Sequence, residues 1–260
     1  MNFNLSKRQK IITASVLVSL GLLSTQLVDF NLRFRFIAGL GVLAGALSLW
    51  ALWEGLNLTK GLVLLILPTF FTVAVASFYF LLPVRWLTRL PVAFLFGLFF
   101  YLLLLSQNVF NVASIRTIPL YRAASTATFL FTLLSAFFIY NVIYAFNQLF
   151  LWNGVAVALV SFPLILQTFW SLEMEDRINL PIIVSSLILA GVLGELAISF
   201  SFWPMANTIW SLSLSSAMYV LVGITTQILR AREDHRRIWE YLVIGGVALL
   251  VGFILTSWTG

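Results

Sequence analysis

Cysteine is absent from the 260 residues, histidine occurs once, and charged residues make up only 9% of the chain. The lack of cysteine excludes disulfides, thiolate metal sites and a cysteine nucleophile. The single histidine, His235, has no second imidazole with which to form a metal site, so no metal or other cofactor is expected. Soluble domains carry about 25% charged residues, and a chain this poor in charge would aggregate in water.

Hydrophobic residues account for 61% of the sequence, and the formal net charge is +6. Lipid is the solvent that suits such a composition. The basic residues lie in the gaps between apolar runs rather than along one face, which is typical of loops that meet anionic headgroups. The expected partner is therefore the lipid bilayer and not a nucleic acid.

Long charge-free runs divide the chain into predicted transmembrane helices. A helix that crosses a hydrocarbon core about 30 Å thick needs about 20 apolar residues. The charge-free run over residues 123–172 is too long for one span, and the polar residues near Asn147 indicate where it turns back. The run over 178–229 breaks at Pro204, because proline interrupts a helix.

The sequence therefore predicts an all-α polytopic transmembrane bundle of about nine spans, with residues 1–260 forming one domain. The spans are expected near residues 11–28, 36–53, 62–83, 91–112, 125–146, 153–172, 181–202, 206–228 and 239–258. An alternative with eight spans requires one re-entrant segment.

Lysine and arginine are distributed unevenly between the two sets of loops. If the N-terminus is cytosolic, eleven basic residues lie inside and only Arg33, Arg35, Arg85 and Arg89 lie outside. Because basic loops stay on the cytosolic side, we expect a cytosolic N-terminus and an external C-terminus. The expected location is the bacterial inner (plasma) membrane.

The fourth span ends in polar residues. Gln107, Asn108 and Asn111 recur at helical spacing, and Arg116 and Arg122 follow in and just after the next loop. One interpretation is that hydrogen bonds join two neighbouring helices. The other is a cytosol-side polar pocket in which Arg116 and Arg122 bind an anionic group.

Glu195 is the one charged residue in the interior of a predicted span, away from the span ends. Such a residue usually faces the bundle interior and marks a proton or substrate site, although a structural carboxyl is an equal alternative. Gly191 and Ser199 lie one turn away on either side and predict a small polar face around it. From its depth in the outer third of the bilayer, we expect Glu195 to pair with an outer arginine. Arg85 or Arg89 is preferred, with Arg33 and Arg35 as the other candidates.

Glycine spacing predicts where helices approach closely. Gly41-x-x-x-Gly45 lies within the second span, and small residues four apart allow two transmembrane helices to come into contact. The same interpretation covers Gly191 with Gly194 and the pair Gly245-Gly246.

The stretch from Asn111 to Ala124, NVASIRTIPLYRAA, resembles a segment of an uncharacterised bacterial multi-span membrane family, a domain of unknown function. The stretch from Ser201-Phe-Trp-Pro204 to the basic loop before the last span is also similar to it. The resemblance covers roughly the C-terminal two-thirds of the chain. It implies a multi-span membrane protein and assigns no activity.

Three functions fit these patterns. The first is a small-solute or ion transporter, permease-like, with Glu195 as its intramembrane polar centre and a substrate that the sequence does not identify. The second is a membrane enzyme acting on lipid or lipid-linked sugar, with Asp29 as its catalytic acid. The third is a non-catalytic assembly partner that packs against a second copy or another membrane protein. Transport is preferred over catalysis.

Overall fold

The computed structural model describes residues 6–25, 32–81, 86–113, 120–174, 177–229 and 235–256, without the side chains of 86–89, 113, 235 and 237. Within these ranges the chain forms nine α-helices and no strand. They are α1 (Lys7–Thr25), α2 (Arg33–Leu52), α3 (Leu58–Tyr79), α4 (Trp86–Ala113), α5 (Tyr121–Ala145), α6 (Phe150–Glu173), α7 (Leu180–Phe200), α8 (Asn207–Leu229) and α9 (His235–Ile254). The predicted all-α class is confirmed.

Seven of these helices, α2 to α8, are long and apolar enough to cross a membrane. The apolar part of α9, Ile238–Ile254, is shorter, and α1 begins with the basic residues Lys7, Arg8 and Lys10. The chain is therefore a multi-pass integral membrane protein. The side of the membrane on which each end lies stays a prediction.

The helix ends follow from local chemistry. α5 and α6 are separated by a turn in which Asn147 has a φ of 49°, a left-handed conformation that asparagine tolerates better than most residues. α7 starts after the extended Asn179, with Pro181 in its first turn, where a missing N–H costs nothing. The chain between α7 and α8 contains Pro204, as the sequence predicts.

The chain divides into two compact units. The first comprises Met1–Ser135 with Trp170–Ile178, and the second comprises Ala136–Phe169 with Asn179–Gly260. In the first unit, α1 packs against α2 and α4, and α2 packs against α3. Its core contains the ring of Phe71, which stacks on Phe96 with centroids 5.8 Å apart and meets Phe131 edge-on at 5.4 Å.

Glycines bring α2 close to α3 in the first unit. A Cβ built on Gly41 would lie 2.7 Å from Cγ2 of Val73, and one on Gly45 would lie 3.0 Å from Oγ1 of Thr69. Both distances are shorter than ordinary van der Waals contacts. The structure therefore confirms that the Gly41-x-x-x-Gly45 face packs against another helix.

In the second unit, α6 and α7 meet backbone to backbone. A Cβ on Gly194 would lie 2.8 Å from the carbonyl oxygen of Gly154, and Gly245 of α9 is similarly close to Val220 of α8. Gly191 and Gly246 differ, because a Cβ on either would meet nothing within 4 Å. Close packing of all four glycines was predicted, and it is found at Gly194 and Gly245 but not, within their own unit, at Gly191 and Gly246.

Candidate functional site

The end of α4 is held against the turn that follows α2. Nδ2 of Asn111 donates hydrogen bonds to the carbonyl oxygens of Leu52, at 3.0 Å, and Glu54, at 2.9 Å. The last carbonyls of a helix have no intrahelical donor, so Asn111 satisfies the C-terminal end of α2. Asn111 and Gln107 are both buried and lie one turn apart on the same face.

Asn108 is rotated about the helix axis by about 100° from Gln107 and by about 60° from Asn111, at 3.6 residues per turn. Its side chain is half-buried and lines a groove of about 640 Å³ between α4 and α5. The Asn108 Oδ1 atom is buried and accepts no hydrogen bond within the described part of the chain. The predicted polar stripe thus divides into a packing pair and one residue that lines a groove.

The groove between α4 and α5 is otherwise lined mainly by apolar side chains. Leu102 and Leu130 are exposed at its wall, whereas Phe131 is buried. Ala123 and Ala127 also line the groove, and their small side chains leave the space between the helices unfilled. Such a groove suits an apolar molecule that carries a hydrogen-bond donor opposite Asn108.

Of the two arginines assigned to this pocket, Arg122 is described, and it is not among the residues that line the groove. Arg122 is exposed in the first turn of α5, next to the groove-lining Ala123. Arg116 lies outside the described residues. Its part in binding an anion therefore stays a prediction.

The turn between α2 and α3 also carries an ion pair that the sequence did not single out. Nζ of Lys10 lies 3.1 Å from Oε1 of Glu54, and both side chains reach solvent. The hydrogen bond and charge of Lys10 hold the pKa of Glu54 below its ordinary value. Lys60, in the first turn of α3, is buried. The sequence did carry a signal for this ion pair, because Glu54 is a single acidic residue in a segment near the basic residues Lys10 and Lys60.

Glu195 does not face the interior of its unit. Its side chain is exposed, and so are the residues Gly191 and Ser199 one turn away on either side. The buried face of α7 includes Leu193 and Ala197, and a residue two positions from each points to the opposite side of the helix. Glu195 therefore lies outside the packed face of α7, and its part as an intramembrane polar centre stays a prediction.

The candidate ion-pair partners of Glu195 are described only in part. The Arg33 guanidinium lies 5.0 Å from the centroid of the Phe80 ring, and Arg35 is exposed. Arg85 and the side chain of Arg89 lie outside the described residues, so pairing of Glu195 with either stays a prediction. Asp29, the alternative catalytic acid, also lies outside them.

The second unit has a buried polar cluster that sequence reasoning missed. The hydroxyls of Tyr140 and Ser161 are 2.6 Å apart. Nδ2 of Asn141 donates to Oγ of Ser211 at 3.3 Å, and the Tyr144 ring stacks beside it on Trp210, with centroids 4.6 Å apart. These contacts join α5, α6 and α8. The sequence signal for this cluster was the pair of polar residues Tyr140 and Asn141 inside an apolar span.

Within the described ranges, no group of three or more histidine or acidic side chains is arranged to hold a metal ion. A family model described as a protein of unknown function (DUF5656) matches residues 13–255. The predicted resemblance to an uncharacterised family is thus confirmed, and it extends well beyond the C-terminal two-thirds. No curated protein and no solved structure matches the chain.

Proposed function

We propose that this chain, which belongs to the DUF5656 family of proteins of unknown function, is a permease-like membrane protein that takes a small amphipathic solute into the groove between α4 and α5. One observation carries the proposal. Oδ1 of Asn108 is buried beside this groove without a hydrogen-bond donor in the described part of the chain.

A buried acceptor without a donor costs about 1–3 kcal/mol, and the bilayer core offers no water to satisfy it. A solute that donates a hydrogen bond to Asn108 removes this cost. The exposed side chains of Leu102 and Leu130 line the same groove. Because exposed surfaces of these spans face acyl chains, the solute enters from the bilayer, and its apolar body contacts the leucines.

The orientation expected from the basic residues indicates on which side of the membrane the groove lies. With the N-terminus cytosolic, α4 ends and α5 begins on the cytosolic side, and Asn108 lies in that half of the membrane. Arg122 is exposed at this end of α5 and favours a solute with an anionic head. Eleven of the fifteen basic residues fall on the cytosolic side in this arrangement, which supports location in the bacterial inner membrane.

The test is to identify what stays bound to the purified protein. Ala127 lines the groove, and Thr126 is exposed beside it on α5 without lining the groove. Protein is purified in nanodiscs, and small molecules are extracted and measured by mass spectrometry. We expect wild type and the control Thr126→Trp to retain a common solute, and Ala127→Trp to lose it.

Asn108→Leu changes little volume and should lower retention about tenfold, the effect of one hydrogen bond to an otherwise unpaired buried acceptor. Size-exclusion profiles check that each variant is folded. The same extracted molecules in the same amounts from wild type, Ala127→Trp and Asn108→Leu would overturn the proposal.

A second candidate function, assembly with another copy of the chain, is favoured by Glu195. Its carboxyl is exposed on α7 within a helix apolar enough to span the membrane. An ionisable group facing lipid is unfavourable by about 3 kcal/mol. Packing of this face of α7 against a second copy would remove the carboxyl from lipid, and the open space above Gly191 lets the two helices approach.

Single-molecule photobleaching in nanodiscs tests this assembly. Gly191→Leu should convert dimers to monomers, whereas Gly246→Leu, at the other glycine with open space, should not. Glu195→Gln keeps the hydrogen-bonding capacity and should keep the dimer, and Glu195→Ala should lose it. A monomeric wild type would contradict the candidate.

A further inference from the structure

Two arginines at the start of α2 have different surroundings. Arg33 is half-buried, and its guanidinium lies 5.0 Å from the centroid of the Phe80 ring. Arg35 is exposed and makes no hydrogen bond or ion pair within the described ranges. The packing of Arg33 against an aromatic ring explains its presence at this end of the bundle. No contact among the described residues of the first unit explains Arg35 in the same way.

Arg35 lies at one end of a trough of about 380 Å³ between α1 and α2. Its lining includes Ser24 from α1 and Phe36, Gly39, Leu40 and Leu43 from α2. From Arg35 to Leu43 the trough follows α2 for about 12 Å, at 1.5 Å per residue. A cationic end therefore continues into an apolar channel that runs toward the middle of the membrane.

Glycine keeps the trough open while the helices beneath it touch. A Cβ on Gly21 would lie 2.5 Å from Cδ1 of Leu40, so α1 and α2 are in close contact there. A Cβ on Gly39 would meet nothing within 4 Å. Phe36 and Leu43 are exposed beside it. The open space above Gly39 is thus bordered by exposed apolar side chains rather than filled by them.

We propose that this trough binds an anionic phospholipid, with its phosphate on the Arg35 guanidinium and one acyl chain along Phe36, Gly39 and Leu43. Guanidinium groups bind phosphate through two parallel hydrogen bonds. The start of a transmembrane helix is also where lipid headgroups lie. The occupant has a charge opposite to that of Arg35 and an apolar tail that matches the rest of the trough.

A lipid fits this trough better than free phosphate does. Arg35 is the one charged donor among the described residues that line the trough. The Ser24 hydroxyl already donates its hydrogen to the carbonyl oxygen of Gly21 at 2.7 Å and is therefore not available to donate to a phosphate. Free phosphate would gain the contact with Arg35 alone. A phospholipid adds the close contacts between its acyl chain and the apolar lining of the open trough.

The experiment compares nanodiscs of phosphatidylcholine with nanodiscs that also contain phosphatidylglycerol, and native mass spectrometry counts the lipid retained on the full chain. We expect wild type to prefer phosphatidylglycerol. Arg35→Gln should reduce that preference about fivefold, since one basic residue near an anionic surface contributes about 1 kcal/mol. Gly39→Leu keeps the charge but fills the trough, and should also reduce retention.

Controls separate this site from general electrostatics. Arg236 is exposed at the start of α9, beside Glu240, and Arg236→Gln should leave the preference unchanged. Millimolar inorganic phosphate should not displace the lipid. The proposal is overturned if Arg35→Gln and Gly39→Leu both retain phosphatidylglycerol like wild type, or if free phosphate competes fully. It is also overturned if Arg35→Gln lowers the preference for phosphatidylglycerol only when Asp29→Asn is present as well. That result would mean that Asp29, rather than a lipid phosphate, is the partner of Arg35 in the wild type.

Discussion

The side-chain amide of Asn111 donates a 3.0 Å hydrogen bond to the carbonyl oxygen of Leu52, the last residue of α2. A second bond of 2.9 Å reaches the carbonyl of Glu54. One side chain on α4 thereby satisfies the end of another helix. The neighbouring Asn108, three residues earlier, leaves its own oxygen unpaired beside a groove.

The two asparagines should respond differently to the same substitution. Asn111→Leu removes two interhelical hydrogen bonds, each worth about 0.6 kcal/mol on average in bilayers, and should lower the free energy of unfolding by about 1 kcal/mol. Asn108→Leu removes an unpaired acceptor and should be neutral or stabilising. Unfolding equilibria in mixed micelles measure both. An equal loss at Asn108 would mean that it also joins helices, and the case for the groove would fail.

Glycine should be essential for stability at the positions where the backbones of α6 and α7 are in contact. Gly194→Ala places a Cβ 2.8 Å from the Gly154 carbonyl oxygen and should cost about 1–3 kcal/mol of stability, as overpacking does. Gly191→Ala meets open space and should be neutral or stabilising by up to about 1 kcal/mol, because alanine favours helix. Thermal unfolding in detergent compares the pair, and equal destabilisation of both would contradict the packing described.

The ion pair between Lys10 and Glu54 should make stability depend on pH. Lys10 lowers the pKa of Glu54 in the folded protein, so the carboxylate stabilises the fold above its unfolded pKa of about 4.3. That contribution is lost as the pH falls through the lower folded pKa. The difference in Tm between wild type and Glu54→Gln should therefore be small and positive at neutral pH, and should decrease as the pH falls below about 4.3. Lys10→Gln should have the same effect, without adding to that of Glu54→Gln.

The predicted orientation can be tested cleanly because the chain has no native cysteine. Single cysteines are introduced as Asp29→Cys, His235→Cys and Gly260→Cys and labelled in intact cells with a membrane-impermeant maleimide. We expect labelling of the first and third and protection of the second. Protection of the cysteine at residue 260 from labelling would mean that α9 does not cross the membrane. Protection of the cysteine at residue 29 would mean that α1 does not cross it.

Local chemistry made the helix breaks predictable from sequence. Asn147 adopts the positive φ of a turn, and Pro204 lies between α7 and α8, because each residue type limits its own backbone. Helix orientation was harder to predict. The few polar residues of α7 lie on both its buried face, at Ser186, and its exposed face, at Glu195 and Ser199, so its sequence carries almost no periodic signal to show which face is buried.

The candidate site was predicted in outline only. The polar residues at the end of α4 were identified by their spacing, but spacing did not show that Asn111 would face Leu52 and Asn108 a groove. That distinction depends on where α2 and α5 lie around α4. The Tyr140–Ser161 contact was missed for the same reason, since these residues are 21 positions apart and are brought together only by the fold.

The most direct test of the central claim is to capture whatever occupies the groove in living membranes. A diazirine-bearing amino acid replaces Leu130, which is exposed and lines the groove, or the control Leu159, which is equally exposed on α6 and does not. After irradiation, intact-mass spectrometry measures the adducts. We predict one dominant small-molecule adduct at position 130, reduced about tenfold by Asn108→Leu, and only a mixture of bilayer lipids at position 159. The same lipid mixture at both positions, unchanged by Asn108→Leu, would contradict the account.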